Sequence, residues 1–283
     1  MSPIYVPGKV TLAKEFTWNE SVWNPSMLST ALWLDAADAS TITESGGAVS
    51  QWDDKSGNNH HVIQATSAAQ PTYSATGFNN LPTVFFDSTD DEMACATTTV
   101  SSQGDLFYGA VFQMLSDVAN WRPIVGTQIS STTGNLGNLL LQRMSDRSEI
   151  GIHDAGRNDT GSTYAVQVTN LFEPRIATVG RSGGSNGNGG LITVTATGPS
   201  QPTYLTQAIQ SWSTDEATTR IQIGGKQQFE TEWSNSNISE VVVCNRNLTT
   251  VERQKLEGYF AHKWGLTANL PSDHPYKLVG PTP

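Results

Sequence analysis

From Leu28 onward the chain is a succession of short apolar or alternating runs, closely punctuated by Gly, Asn, Ser and Pro. Examples are "ALWLDA", "TVFFD", "DLFYGAVFQML", "RPIVGTQI", "EIGIHD", "TYAVQVT", "RIATVG", "LITVTAT" and "ISEVVVCNR". They are rich in Val, Ile, Thr and aromatics, the residues that fit a pleated, half-buried surface. Many short strands spaced by turn residues predict an antiparallel sandwich or jelly roll. No strand–helix alternation occurs, which argues against a parallel α/β sheet. The glycine-rich stretch from Arg181 to Gly190 reads as a loop between two such strands.

One segment breaks the pattern. In "NRNLTTVERQKLEGYFAHKWGL", Thr249 and Glu252 have the spacing of a capping box, in which the hydroxyl and the carboxylate each take an orphan N–H of the first turn. Leu256, Tyr259, Phe260 and Trp264 then recur on one helical face, and Gly265 stops the helix. A single amphipathic helix over 250–264 is therefore expected, laid on the sheet as a cover.

Residues 1–27 contain three prolines and the aromatic residues Tyr5, Phe16, Trp18 and Trp23, with no periodicity. Four large rings are costly to leave wet, so this stretch is expected to be an extended arm that anchors the 28–283 domain to a neighbour. With 16 basic against 26 acidic residues the net charge is −10, and no Lys/Arg cluster occurs. A polyanionic nucleic acid needs such a cluster, so it is not an expected partner. No apolar run reaches membrane-spanning length. The first ten residues lack the pattern of a secretion signal, so folding in a cytoplasm is expected, with Cys95 and Cys244 as separate thiols.

Several patches together resemble the concanavalin A-like lectin/glucanase superfamily, in particular its laminin-G-like modules in phage and bacterial surface proteins. They are "ALWLDAADASTIT", "VSQWDDKSGNNHHVIQAT" and "NNLPTVFFDSTDDEM" near the start, and "IQIGG", the helical segment and "LPSDHPYK" near the end. Two positions depart from that pattern: Ser88 replaces a glycine, and Ser239 stands where an acid is frequent. The resemblance implies a two-sheet jelly roll of about a dozen antiparallel strands. It also implies glycan or protein binding, sometimes with calcium, and in some members glycan hydrolysis.

The residues bear unequally on these chemistries. Hydrolases of the superfamily carry an E-x-D-x-x-E strand, which is absent here. The string "GGSNG" at Gly183–Gly187 matches a nucleophile motif literally but lacks the strand-to-helix elbow that motif requires. Asp53, Asp54, Asp87, Asp90 and Asp91 sit in turns and are the expected calcium ligands, if a cofactor is held at all, because calcium takes turn carboxylates and carbonyls. Trp121, Tyr164, Tyr204, Trp212 and Trp233 lie near loops and are the candidate glycan contacts. The combined expectation is a non-enzymatic phage virion surface protein, a capsid decoration or host-attachment fibre component. It would be assembled in the host cytoplasm and display a lectin-like sandwich toward host surface glycans. Its arm would bind capsid or tail proteins, or sister subunits of a homo-oligomer such as a trimer. The alternatives are a glycan hydrolase of the glucanase type and a bacterial surface adhesion module.

Overall fold

A computed structural model describes residues 23–95, 105–116, 122–129, 136–143, 149–154, 162–168, 170–182, 191–197, 203–208, 219–225 and 233–283. The chain is all-β with one α-helix among the described residues, and every strand pairing is antiparallel.

The strands form two hydrogen-bonded runs. The first is ordered β5 (Thr72–Ser74), β6 (Thr83–Asp87), β17 (Asn235–Cys244), β8 (Leu106–Met114), β13 (Arg175–Ser182), β14 (Leu191–Ala196) and β15 (Thr203–Ala208). The second begins with β2 (Ile42–Ser45), β3 (Ala48–Trp52), β4 (Val62–Ile63), β7 (Met93–Cys95) and β16 (Thr219–Ile223). It continues through β9 (Arg122–Ile129), β10 (Leu136–Arg143), β11 (Glu149–Asp154) and β12 (Ser162–Gln167). Ala48 of β3 also pairs with Thr72 of β5, which joins the two runs.

β17 is the spine of the first run. Along the edge away from β8, its first half pairs with β6, and its second half pairs with β1 (Leu32–Asp35), in the register Asp35↔Glu240 to Leu32↔Val243. The β17–β8 register shifts between Ile238 and Glu240, at Ser239. β8 is buried at eight of its nine positions. Such a near-continuous apolar strand needs cover on both faces.

The helix α1 (Thr250–Lys263) covers one of those faces. Its capping box is present as expected: Glu252 N–H donates to the Thr249 hydroxyl, and the Glu252 carboxylate accepts from Thr249 N–H. Leu256, Tyr259, Phe260 and Trp264 are all buried, each contributing about 1.5–3 kcal/mol. The sheet makes room for them with Gly109, where an added Cβ would lie 3.0 Å from Leu256 and 3.3 Å from Phe260. Gly265 follows with φ +69°, the left-handed conformation that ends helices.

Two buried carboxylates fasten this helix. Glu240, fully buried on β17, accepts from Trp33 Nε1 (2.7 Å), Tyr259 Oη (3.0 Å), Trp264 Nε1 (2.6 Å) and Lys263 Nζ (2.9 Å). Glu257, on α1 itself, accepts from Arg253 Nη1 at 2.6 Å and Thr195 Oγ1 at 2.9 Å, and lies 3.3 Å from His274 Nε2.

Trp23 corrects the expected boundary at 27/28. Its ring is 3% exposed and lies 5.8 Å edge-on from Tyr259 of α1. Pro25 and Leu28 are buried as well, and the Leu28 carbonyl accepts from Arg246. Packed chain therefore begins at least as early as Trp23, because its indole covers a helix of its own chain rather than a neighbour. Tyr5, Phe16 and Trp18 lie outside the described residues. Cys95 and Cys244 are both buried; the Cys95 thiol donates to the His60 carbonyl at 3.2 Å, and burial pushes the Cys244 thiol up to about 12.

Candidate functional site

β6 ends at Asp87, and the chain turns through Ser88–Glu92 into β7. Thr89 N–H donates to Asp87 Oδ1 at 2.7 Å, and Asp87 N–H donates to Asp91 Oδ2 at 2.9 Å. Ser88, where the resemblance called for glycine, sits at φ +73°. This left-handed position is costly for a residue with a Cβ. The turn brings carboxylate oxygens of Asp87, Asp90 and Asp91 within 4.8 Å of one another. Desolvation raises the carboxyl of Asp91 to about 6, with the charges of Asp87 and Asp90 adding to the shift.

Glu92 follows directly and links this turn to β16. Its Oε2 accepts from the buried Gln222 amide at 2.7 Å, and its carbonyl accepts from Gln64 Nε2 at 2.9 Å. Burial raises the Glu92 carboxyl, against the lowering effects of Gln222 and Arg220. β16 then gives way to Gly224, at φ +75°, and Gly225. A Cβ on Gly225 would meet Glu92 Oε2 at 2.9 Å and Trp233 Cδ1 at 3.3 Å, so only glycine lets the acid and the indole share this corner. Trp233 is half-buried, and its carbonyl accepts from Arg122 Nη1 at 2.5 Å. Ser234 N–H donates to the Gly224 carbonyl at 2.7 Å and closes the corner.

This arrangement has defined chemical capacities. The carboxylates and amides can bond hydroxyl groups, and the exposed part of the indole can cover an apolar ring face. The three clustered aspartates offer hard oxygen ligands of the kind calcium takes.

The nominated residues divide as follows. Asp87, Asp90 and Asp91 come together, and Trp233 meets the next residue, Glu92, at Gly225. Asp53 and Asp54, in an earlier turn, are not part of that group. Asp54 is occupied as a loop organiser: Oδ1 accepts from Trp33 N–H (2.9 Å) and Ser56 N–H (2.8 Å), while Oδ2 accepts from Ser56 Oγ (2.7 Å) and His60 N–H (3.0 Å). Asp53 lies 3.1 Å from His61 Nδ1 and accepts from Gln51 Nε2 at 2.7 Å. Tyr164 falls on β12 and Tyr204 on β15, with their side chains outside the description. Trp121, Trp212 and the Gly183–Gly187 string lie outside the described residues. Sequence reasoning missed Glu92, Gln222 and Gly225. The available signal was the acid that extends "STDD" to "STDDE", and the paired glycines closing "RIQIGG".

No protein-family model matches this sequence, and no similarity to a curated protein reaches significance. Solved structures do resemble the fold. A Trypanosoma rangeli sialidase in complex with sialic acid aligns with TM-score 0.54 at 12% identity, over 82% of this chain and 33% of that one. A mutant GH54 α-L-arabinofuranosidase aligns with TM-score 0.52 at 13% identity, over 85% and 59%. The binding domain of botulinum neurotoxin DC, in complex with rat synaptotagmin II, aligns with TM-score 0.52 at 10% identity, over 81% and 51%. The chain thus spans about a third of the sialidase and about three fifths of the arabinofuranosidase. These likenesses concern the fold. The expectation of a non-enzymatic phage virion protein is corrected to this extent: the resembling structures include glycoside hydrolases, so the fold is one that such enzymes use.

Proposed function

We propose that this chain is a carbohydrate-active domain of the architecture that glycan hydrolases use, and that it engages a glycan at the corner formed by the Asp87–Glu92 turn and Trp233. The two strand runs are read here as the sheets of a concanavalin A-like jelly roll, with α1 packed on one outer face. The observation that carries the proposal is the meeting of an indole and Glu92 at Gly225, beside three converging aspartates. Stacking surface and hydrogen-bonding carboxylates are the two things a sugar needs from a protein.

A hydrolytic form of the reading rests on Asp91. A carboxyl raised to about 6 beside two other acids is the arrangement from which a proton donor and an ionised partner are drawn. Asp91 would donate its proton to the leaving oxygen as the glycosidic bond breaks, the Asp87 or Asp90 carboxylate would bond to the anomeric carbon, and water would then displace that carboxylate while giving its proton back to Asp91.

The test is a glycan panel read two ways, for binding and for release of reducing ends. Saturable binding that Trp233→Ala weakens supports the site. Turnover that Asp91→Asn removes while binding persists supports hydrolysis there. Binding without turnover makes the domain a recognition module, and absence of both overturns the proposal.

A further inference from the structure

The first strand run changes character along β17. From Ile238 to Cys244 every residue is buried, whereas Asn235 and Asn237 are half-buried and alternate with buried Ser236 and Ile238. The alternating half is a two-faced sheet, with one face in the core and the other toward solvent. Its neighbours alternate in step. Asn237 lies between Phe85 of β6 and Gln113 of β8, and Asn235 lies beside Asp87, with its carbonyl accepting from Leu115 N–H at 2.9 Å. Cross-strand partners share a face. Gly109, which meets α1, precedes Gln113 by two full alternations, so this is the face that α1 covers further along. Phe85, Asn235, Asn237 and Gln113 are half-buried there, and Leu115 is 42% exposed.

The segment 170–174 raises one edge of this platform. Leu171 is buried and roots it. Phe172 N–H donates to Asn170 Oδ1 at 3.1 Å, and the Phe172 carbonyl accepts from Gln113 Nε2 at 2.8 Å. The Asn170 carbonyl accepts from Arg175 Nη2, and the Pro174 carbonyl from Asn269 Nδ2 at 3.0 Å. The backbone is thus tied to β8, β13 and the segment after α1, while the Phe172 ring stays 43% exposed. A fixed, wetted ring is a stacking surface whose ordering cost is already met.

The polar atoms left over suit hydroxyl groups. Asn235 Nδ2 donates to Ser116 Oγ at 2.6 Å, and Gln113 Nε2 to Phe172, which leaves both amide oxygens to accept. Asn237 Oδ1 accepts from Thr83 Oγ1 at 3.4 Å, which leaves its Nδ2 to donate. Sugar hydroxyls do both. An apolar partner surface would leave these amides unpaired, which is costly. From β6 to β13 the platform crosses three strand spacings, about 14 Å, so its occupant is a chain of sugars and not a single one.

We infer that this platform is a second, extended glycan-binding surface, with Phe172 as its stacking ring. It adjoins the site proposed above through the Asp87↔Asn235 pair. It rests on that reading for the class of ligand, but not on the charge of the turn or on a metal.

The experiment is calorimetric titration of the full chain with cello-, xylo-, arabino- and galacto-oligosaccharides, from disaccharide to hexasaccharide. The proteins are the unaltered chain, Phe172→Ala, Phe172→Tyr and Trp233→Ala, each checked for an unchanged melting temperature. Affinity should rise with chain length. Phe172→Ala should abolish that rise and weaken hexasaccharide binding about tenfold, as loss of an aromatic anchor does, while Phe172→Tyr preserves both. Loss of affinity in Trp233→Ala but not in Phe172→Ala would overturn the inference and leave the corner reading standing. The reverse would support the platform and overturn the corner. Binding of no oligosaccharide overturns both. Sedimentation of the same proteins tests the other occupant: a dimer that Phe172→Ala dissociates, with glycan affinity unchanged, would make this face an interface between copies and overturn the inference.

Discussion

Lys263 Nζ lies 2.9 Å from Glu240 Oε2 and 2.6 Å from Asp35 Oδ1, in the seam between α1 and the sheet. Asp35 and Glu240 are cross-strand neighbours on β1 and β17, so two acids face each other where like charges repel. The ammonium of Lys263 is what makes the pairing tolerable, with Lys55 supporting Asp35 from outside at 2.9 Å. Lysine in the last turn of a helix is expected on dipole grounds, but here its main partners are across the seam.

Lys263→Met should therefore destabilise the fold by about 3–5 kcal/mol, since removing one partner strands a buried charge. Lys263→Met combined with Glu240→Gln should recover a substantial part of the loss. Urea unfolding of the three proteins measures this. A single-variant loss below about 1 kcal/mol, the range of a surface pair, would show the network to be solvated.

Trp23 gives a second stability test. Its ring is buried against Tyr259, so Trp23→Ala should cost about 3–5 kcal/mol, comparable to Trp264→Ala. An unchanged melting temperature would return Trp23 to the role of a dispensable arm residue.

Much of the fold could be read from the sequence because its signals are local. The capping box, the helical recurrence of Leu256, Tyr259, Phe260 and Trp264, and the run-and-turn rhythm each lie within a few residues. The Glu240 network could not be read, because its members Trp33, Asp35, Glu240 and Lys263 meet only after β1 and β17 pair. Trp23 was misjudged because a ring without periodicity gives no hint of its distant cover. The site was half legible. An Asp-rich turn is visible as such, but what separates Asp87 from Asp54 is tertiary: Asp54 has its oxygens filled by Trp33, Ser56 and His60. Gln222 and Gly225 meet Glu92 only through the β7–β16 pairing.

Asp91 makes stability depend on pH. Its carboxyl lies near about 6 in the folded chain, against about 3.9 unfolded. A raised acid holds its proton more tightly when folded, so its contribution is complete below the unfolded value and is lost as pH rises through 6. Asp91→Asn should thus stabilise the metal-free chain by about 1–2 kcal/mol at pH 7.5, after allowance for partial solvation. The gain should shrink as pH falls through about 6 and vanish near about 4. A calcium ion held by the turn would reverse the sign at pH 7.5, by favouring the ionised form. Thermal melts of both proteins in chelator and in calcium, across pH 4–8, separate these cases; destabilisation by Asp91→Asn in chelator would refute the burial account.

Gly225 sets the geometry of the corner. A methyl there would lie 2.5 Å from Glu92 Cβ. Gly225→Ala should push Glu92 aside at a cost of about 1–3 kcal/mol, as overpacking does. Glycan binding should weaken at least as much as with Glu92→Gln. Full retention of binding would show that Glu92 takes no part in it.

The most direct test of glycan recognition is equilibrium titration of the best-bound glycan from the panel against the unaltered chain and Trp233→Ala. A stacking indole at the centre of a site is worth about 2 kcal/mol or more, so the variant should bind about 25-fold or more weakly with its melting temperature held within two degrees or so. Equal affinity of the two proteins would contradict the account and place any glycan elsewhere on the molecule.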